Sequence, residues 1–258
     1  MANKLAIVTG ASSGIGLELA KLAAGEGYDL LVASDTPFVD AGSALKELGV
    51  EVRSIEADLA TEQGIKQLLD AVGDRPVDVL VANAGHGLGG AFLEQGPREW
   101  THVVETNITG TLLLIQPIAK RMVQRGEGKV LIVGSIAGHL AGSFQAVYNG
   151  SKAFIDSFAA ALHNELKDTG VTVTCLKPGA TETEFFERAG LEDTKVGQAK
   201  KDDPADVAKT GWEAMKDGKE SVVYGLKNKA QVLVSGILPE SATAAMHRQQ
   251  AEPGSGSS

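Results

Sequence analysis

Residues 5–16 decide the fold of this chain and read Leu-Ala-Ile-Val-Thr-Gly-Ala-Ser-Ser-Gly-Ile-Gly. The apolar run Leu5 to Val8 predicts a buried strand, and Ile15, Leu19 and Leu22 follow it at helical spacing. The glycines, spaced Gly-x3-Gly-x-Gly, therefore lie in a turn between a strand and a helix. A helix start offers unpaired N–H groups and a positive dipole end, so this turn predicts a phosphate-binding site. The alternative is that the glycines only permit a tight turn and close packing of helix on strand.

Short apolar runs recur along the chain with helical segments between them. There are seven, and their residues are apolar throughout rather than alternating, which is typical of parallel strands covered on both faces. The pattern predicts an α/β fold with a doubly wound, Rossmann-type sheet of seven parallel strands and helices on both faces. The predicted strands are Leu5 to Val8, Leu30 to Ala33, Val50 to Ile55, Val77 to Val81, Val130 to Val133, Val171 to Leu176 and Ser221 to Tyr224.

The length of 258 residues and 43 % hydrophobic content fit one domain. We predict that residues 1–238 form this domain, with a substrate lid at about residues 181–203, where the sequence becomes charged and weakly periodic. Residues 239–258 are expected to be a flexible tail, and the final stretch from Pro253 to Ser258 has the composition of an artificial linker.

Charge and cysteine content narrow the class of protein. Lys and Arg number 24 against 33 Asp and Glu, giving a net charge of −9, and no basic cluster is present. This argues against nucleic acid as a partner. Cys175 is the single cysteine, so no intrachain disulfide can form, and no apolar stretch approaches the roughly 20 residues that span a bilayer. We expect a cytoplasmic protein with no membrane partner.

Further motifs follow the glycine turn in a fixed order. They are Asp58-Leu59, Asn83-Ala84-Gly85, Asn107, Ser135, Tyr148-x-x-x-Lys152 and Pro178-Gly179. With the turn at residues 9–16, this set resembles the short-chain dehydrogenase/reductase superfamily of the classical single-domain type, and the resemblance runs from Lys4 to about Tyr224. Two positions depart from the usual pattern: Asn149-Gly150-Ser151 follows the tyrosine, and Gly134 stands before Ser135 where a larger side chain is more usual.

The resemblance implies an NAD(P)-dependent oxidoreductase that interconverts a ketone or aldehyde and an alcohol by hydride transfer. Asp58 would hold the adenine, and residues 83–85 would contact the ribose or support the strand; each motif alone could be an ordinary turn. The cofactor-binding residues implied are Gly10, Ser12, Ser13, Gly14, Ile15, Gly16, Ser34, Asp35, Asp58, Leu59, Asn83, Ala84, Gly85, Tyr148, Lys152, Pro178, Gly179, Thr181 and Thr183.

The predicted catalytic residues are Asn107, Ser135, Tyr148 and Lys152. Tyr148 and Lys152 lie four apart and so share one helix face, where the ammonium should favour phenolate and lower the tyrosine pKa toward neutrality. The resemblance implies that Tyr148 is the general acid/base. Lys152 would bind the nicotinamide ribose, and Ser135 would form a hydrogen bond with the substrate oxygen. Asn107 would position a water in a proton relay. Taken singly, each residue has an ordinary role in packing, a turn or the surface.

The sequence leans toward NAD(H) over NADP(H). Ser13, Ser34 and Asp35 occupy positions where NADP-preferring relatives carry Arg or Lys. A carboxylate accepts hydrogen bonds from two ribose hydroxyls and repels a 2′-phosphate. Asp35, however, lies one position beyond the usual NAD-selecting aspartate, and Ser34 is compatible with either cofactor.

A small-molecule carbonyl or alcohol is the expected substrate. Residues 85–88, 139–145 and 181–188 are predicted to border it, with Phe185 and Phe186 either lining the pocket or only anchoring the lid. Apolar residues in two long helices, at about 110–124 and 151–167, suggest a homodimer or homotetramer. The five histidines lack ligand spacing, so we expect no metal. Two rival functions stay open: a non-catalytic dinucleotide-binding sensor or scaffold, and an epimerase or dehydratase of the related extended group.

Overall fold

A computed structural model describes residues 3–257 of the chain. Its centre is a sheet of seven parallel strands in the order β3-β2-β1-β4-β5-β6-β7. This confirms the predicted doubly wound fold. The strands are β1 (Leu5–Thr9), β2 (Asp29–Ser34), β3 (Val52–Glu56), β4 (Val79–Ala82), β5 (Gly128–Val133), β6 (Val171–Lys177) and β7 (Ser221–Val223).

Helices connect successive strands and cover both faces of the sheet. A π-helical segment at Glu105–Gly110 joins two of them into one long helical stretch. The helices are α1 (Gly14–Gly25), α2 (Val39–Lys46), α3 (Glu62–Val72), α4 (Pro97–Val104), α5 (Thr111–Arg125), α6 (Ala146–Glu165), α7 (Phe185–Arg188), α8 (Lys195–Gln198), α9 (Pro204–Lys216), α10 (Leu226–Ser235) and α11 (Glu240–Ala251).

Two apolar layers form the core, one on each side of the sheet. On one side, residues such as Leu19 of α1 and Trp212 of α9 pack against alternate strand residues. On the other side, Leu68 of α3, Ile118 of α5 and Ile155 of α6 do the same. Burial on both faces is the reason that the central residues of β1, β2 and β4 are apolar rather than alternating.

The strand order reverses at β1, whose neighbours are β2 and β4. Connections leaving the two sides run to opposite faces, so a crevice opens at the carboxyl ends of β1 and β4. The glycine turn follows β1 and residues 83–85 follow β4, and the topology therefore brings these two motifs to one edge of the sheet.

Some predicted boundaries differ from the structure. Strand β3 begins two residues later than predicted, at Val52, and β4 also begins two residues later, at Val79. Helix α6 begins at Ala146 rather than Ser151, so Tyr148 and Lys152 both lie inside it, as their spacing requires.

The segment 239–258, predicted as a flexible tail, contains helix α11 and a single 3-10 turn at Ser255–Ser257. Helix α11 packs against α8, and Thr243 and Ala251 are buried. The predicted lid region, 181–203, holds α7 and α8 around a small apolar cluster that includes Phe186 and Leu191. No helix within residues 3–257 combines the length and apolar character needed to cross a membrane.

Candidate active site

The glycine turn after β1 forms a backbone cradle that excludes side chains. Gly10 and Gly14 have φ values of +64° and +55°, in the left-handed region that favours glycine. A Cβ on Gly16 would lie 2.1 Å from the carbonyl oxygen of Gly10. Ser13 precedes α1 without capping it through its side chain, which leaves the N–H groups of the first turn available. This cradle fits the pyrophosphate of a dinucleotide, because an anion at a helix start needs these donors and close backbone approach.

Asn83 ties the end of β4 to this turn. Its Nδ2 donates to the carbonyl oxygens of Thr9 at 2.9 Å and Gly10 at 3.1 Å. The Thr9 hydroxyl in return accepts from the backbone N–H groups of Asn83 and Ala84, both at 3.0 Å. The side chain of Asn83 therefore supports the cradle, as one of the two predicted roles for this motif requires.

A cleft of about 750 Å³ opens over the carboxyl edge of the sheet. All nineteen residues of the predicted cofactor set line it, together with Ser135 of the predicted catalytic set. The lining residues from those two predictions are Gly10, Ser12, Ser13, Gly14, Ile15, Gly16, Ser34, Asp35, Asp58, Leu59, Asn83, Ala84, Gly85, Ser135, Tyr148, Lys152, Pro178, Gly179, Thr181 and Thr183.

Hydroxyl groups cluster at the end of β2. Ser34 Oγ and Thr36 Oγ1 donate to Ser12 Oγ at 2.8 and 2.9 Å. Asp35 is exposed beside them, with one carboxylate oxygen 3.9 Å from a guanidinium nitrogen of Arg188 on α7. This corner of the cleft therefore carries one exposed carboxylate and one arginine, and Arg188 reaches it from the lid region.

Asp58 is exposed at the end of β3, and its Oδ1 accepts from the backbone N–H of Ala60 at 2.9 Å. This is the turn geometry that the residue would also adopt without a ligand. Its place on the cleft wall nevertheless agrees with the adenine contact that the family resemblance implies.

Tyr148 lies in the first turn of α6 at the floor of the cleft and is 8 % exposed. Burial raises its pKa to about 12, although a hydrogen bond with the Ser135 hydroxyl acts in the opposite direction and Asp156 adds to the rise. The sequence-based expectation of a lowered pKa is therefore wrong for this structure. Lys152 does not offset the burial, because its Nζ lies 5.9 Å from the centre of the phenol ring and donates instead to the Val133 carbonyl oxygen at 2.9 Å.

Lys152 is itself buried, and desolvation lowers its pKa while the negative charge of Asp156 acts against this. A Cβ on Gly85 would lie 3.4 Å from Lys152 Nζ and 3.3 Å from Asn107 Oδ1. The glycine at position 85 therefore leaves space beside the ammonium group, on the side of the cleft that β4 provides.

Asn107 sits in the π-helical segment and is buried next to the cleft rather than on its wall. Its Oδ1 accepts from the His86 N–H at 2.7 Å, and its Nδ2 donates to the His86 carbonyl at 2.9 Å and to Ser151 Oγ at 2.9 Å. The side chain of Asn107 therefore fastens the loop after β4 to α6. Gly85 lies between Asn107 and Lys152, within reach of both side chains.

The lid region folds over the cleft. The Phe185 ring lies 5.1 Å from the Tyr148 ring, between centres, and a Cβ on Gly14 would lie 2.6 Å from the Thr183 methyl group. Phe186 also lines the cleft and is buried in the small apolar cluster of the lid, against which Phe185 packs. Both phenylalanines therefore combine the two predicted roles, lining the pocket and anchoring the lid. His139 and Phe144, predicted to border the substrate, do not line the cleft.

Helices α10 and α11 and the residues between them complete the cleft wall. Sequence reasoning did not assign this wall to the site, and it set residues 239–258 aside as a tail. The segment contributes Val234, Leu238, Met246 and His247 to the wall. Ser143 Oγ donates to the Ala244 carbonyl oxygen at 2.9 Å, which attaches α11 to the loop before α6. The apolar residues within 231–238 were the sequence signal that could have indicated this part of the wall. No group of three or more potential metal ligands occurs in residues 3–257.

The fold and the glycine cradle define a dinucleotide-binding α/β protein, and comparisons with known proteins give its family. The family model for short chain dehydrogenases matches residues 4–193. Serine 3-dehydrogenase of Rhizobium radiobacter is 36 % identical over 69 % of this chain and 72 % of its own length. A 3-oxoacyl-acyl-carrier-protein reductase of Vibrio cholerae is 31 % identical over 70 % of this chain and 75 % of its own length.

Solved structures agree. A short-chain dehydrogenase from Sphingobium yanoikuyae in complex with NADPH superimposes with a TM-score of 0.79 and 25 % identity, over 92 % of this chain and 97 % of the other. The chain belongs to the short-chain dehydrogenase family. It is an NAD(P)-dependent oxidoreductase that acts on small molecules and uses a nicotinamide dinucleotide as cofactor.

Proposed function

We propose that this oxidoreductase interconverts a ketone or aldehyde and the corresponding alcohol, with Tyr148 as the general acid/base. One observation carries the proposal: Ser135, Tyr148 and Lys152 converge at the floor of the cleft whose other end is the glycine cradle. Hydride transfer and proton transfer must happen at one carbonyl group, so a proton donor is needed where the far end of a cradled dinucleotide would reach. A protein that only binds the dinucleotide has no need for this set.

In the proposed mechanism each side chain has one task. The Tyr148 hydroxyl gives its proton to the carbonyl oxygen during reduction, and the Ser135 hydroxyl donates a hydrogen bond to the same oxygen as negative charge develops there. Lys152 holds the nicotinamide ribose and keeps positive charge near the phenol. When bound, the cofactor supplies the hydride in reduction and accepts it in oxidation. Asn107 orders the loop at His86 and connects it with α6.

The pKa of Tyr148 bears on the direction of the reaction. With a pKa of about 12, the phenol stays protonated at neutral pH. A protonated phenol is the form that a reduction requires, whereas alcohol oxidation starts from phenolate. We therefore propose that carbonyl reduction is the faster direction at neutral pH.

NAD(H) is the proposed cofactor. The carboxylate of Asp35 lies on the cleft wall at the end of β2 and is exposed. It can accept hydrogen bonds from ribose hydroxyls and would repel a 2′-phosphate. Arg188, 3.9 Å from that carboxylate, acts in the opposite sense because it neutralises part of the charge. The preference is therefore expected to be modest.

We propose a substrate with an apolar substituent next to its carbonyl group. Beyond Tyr148 the cleft is lined by Leu140, Phe185, Val234, Leu238 and Met246. Burial of apolar surface is the main favourable term available to a ligand there. One relative is named for serine and another for a 3-oxoacyl group on acyl-carrier protein, so polarity and chain length are the substrate properties to test.

The test is turnover by Tyr148→Phe beside the native protein, with NADH and NADPH and a panel of ketones of increasing chain length. We expect turnover to fall by about 10²- to 10⁴-fold, the usual contribution of a general acid, while cofactor binding measured by titration is retained. Tyr28→Phe is the matched control, because Tyr28 packs on Trp212 away from the cleft and should leave turnover unchanged. Full activity of Tyr148→Phe would refute the assigned role. Cofactor binding without turnover in the native protein would favour the sensor function.

A further inference from the structure

We propose that Asp156 is a positioning residue of this active site, whose buried carboxylate holds the Ser135 backbone and keeps the proton on the Tyr148–Lys152 pair. The proposal rests on the function proposed above. It concerns a residue outside the motifs that identified the family, and its carboxylate lies behind the reacting groups.

Asp156 occupies the turn of α6 that follows Lys152, four residues on, and is 6 % exposed. Its Oδ1 accepts from the Ser135 N–H at 3.4 Å and from the Cys175 thiol at 3.5 Å. The carboxylate therefore lies against the ends of β5 and β6. In this place it fixes the backbone from which the Ser135 hydroxyl projects toward Tyr148.

Gly134 makes room for this carboxylate. A Cβ on Gly134 would lie 1.9 Å from Asp156 Oδ1 and 2.9 Å from Cys175 Sγ, distances at which atoms must move. The departure from the usual motif at position 134 thereby acquires a physical reason. The absence of a side chain directly after β5 leaves the space that the carboxylate on α6 occupies.

Two basic side chains face the outer oxygen of Asp156. Lys177 Nζ lies 3.5 Å and His139 Nε2 3.6 Å from Oδ2, and the two nitrogens are 3.2 Å apart. Oδ2 is buried and makes no hydrogen bond to any of residues 3–257. The outer oxygen is therefore paired by charge with Lys177, without a hydrogen bond.

Burial raises the pKa of Asp156, whereas Lys177, Lys152, the Cys175 thiol and His139 act against this rise. Burial and Lys177 lower the pKa of His139, so at alkaline pH the histidine is neutral and the carboxylate is ionised. The negative charge of Asp156 also acts on the active site. It raises the pKa of Tyr148 and opposes the lowered pKa of Lys152.

The sign of the effect on the reaction is fixed. Reduction needs the neutral phenol and the charged ammonium, so its rate falls when either group loses its proton. A nearby negative charge resists that loss whichever group gives up the proton. Removing the charge of Asp156 must therefore move the alkaline fall in the reduction rate to lower pH.

The experiment measures carbonyl reduction against pH for the native protein, Asp156→Asn and Glu165→Gln. Asn keeps the shape of the side chain without its charge, and Glu165 is an exposed carboxylate at the end of the same helix. We expect the alkaline inflection of Asp156→Asn to fall by about one pH unit, the low end of the effect of a neighbouring charge, and that of Glu165→Gln to stay in place. Equal shifts in the two variants would overturn the proposal.

Lys177→Met provides the opposite sign, because it leaves the carboxylate without its partner and should move the inflection to higher pH. This variant also carries the test if Asp156→Asn does not fold. An inflection that moves down in Lys177→Met contradicts the proposed electrostatic role.

The packing half of the proposal has a readout that does not need turnover. Gly134→Ala should lower the melting temperature, and Asp156→Ala should relieve this, so that the double variant is more stable than the sum of the single changes predicts. An unchanged melting temperature in Gly134→Ala overturns the packing. Turnover that survives Tyr148→Phe overturns the proposed function and the electrostatic half with it, whereas an unshifted Asp156→Asn in an enzyme that needs Tyr148 overturns this proposal alone.

Discussion

Two alanine substitutions in the same helix should have opposite effects on stability. Gly16 and Gly25 both lie in α1. In an open helix, replacing glycine with alanine stabilises by up to about 1 kcal/mol, because glycine loses more backbone entropy on folding. Around Gly25 there is no atom within 4 Å of a new Cβ, so Gly25→Ala should show this gain.

At Gly16 the same Cβ would lie 2.1 Å from the Gly10 carbonyl oxygen and 2.5 Å from Asn83 Nδ2. The first contact is with backbone, so no rotamer change relieves it, and the turn must move. Overpacking of this kind costs about 1 to 3 kcal/mol. The two variants should therefore differ by about 1 to 4 kcal/mol, which for a chain of this length is a difference of about 2 °C or more in melting temperature.

Calorimetry of both variants, with and without NADH, tests this reasoning. We expect Gly16→Ala also to weaken cofactor binding, since the displaced turn is the cradle, and Gly25→Ala to bind as the native protein does. If Gly16→Ala melts at the temperature of Gly25→Ala and binds the cofactor equally well, the close approach at Gly16 is not real and the cradle argument fails.

Two further predictions concern selectivity and assembly. Asp35→Asn should lower the Kd for NADPH by up to about fivefold relative to NADH, the equivalent of the ~1 kcal/mol of an exposed charge interaction; an unchanged ratio of the two Kd values in titrations would show that Asp35 does not select the cofactor. We also propose a homo-oligomer through α5 and α6, where Leu113 and Phe154 are 40 % and 43 % exposed and Phe154 stacks on Phe158. Phe154→Lys should then lower the mass measured by light scattering, and a native monomer would contradict the proposal.

Local patterns were sufficient for the fold because each one reports on a short stretch of backbone. The apolar runs gave all seven strands, and the turn at residues 9–16 gave the first strand-to-helix connection. The predicted cofactor residues meet at one cleft because most of them follow the carboxyl ends of parallel strands, which lie at one edge by construction of the fold.

The errors arose where a property depends on distant parts of the chain. The pKa of Tyr148 was predicted to fall because Lys152 is four residues away, yet it rises to about 12 because the surrounding elements exclude water. Depth of burial is a result of tertiary packing and is not encoded in a four-residue spacing. Helix α11 was missed for a related reason: among its residues only Thr243 and Ala251 are buried, so its apolar pattern is weak although it contributes to the cleft wall.

Gly134 shows how a departure from a motif can be informative. In the sequence it was an anomaly without a partner, because the residue that explains it lies 22 positions further on, in another element. The structure places the Asp156 carboxylate in the space that a side chain at 134 would need. A buried charge beside the proposed catalytic residues Ser135, Tyr148 and Lys152 must affect their chemistry, because charges interact strongly where water is excluded. The departure from the family pattern at position 134 therefore points to Asp156, a residue that the family motifs did not identify.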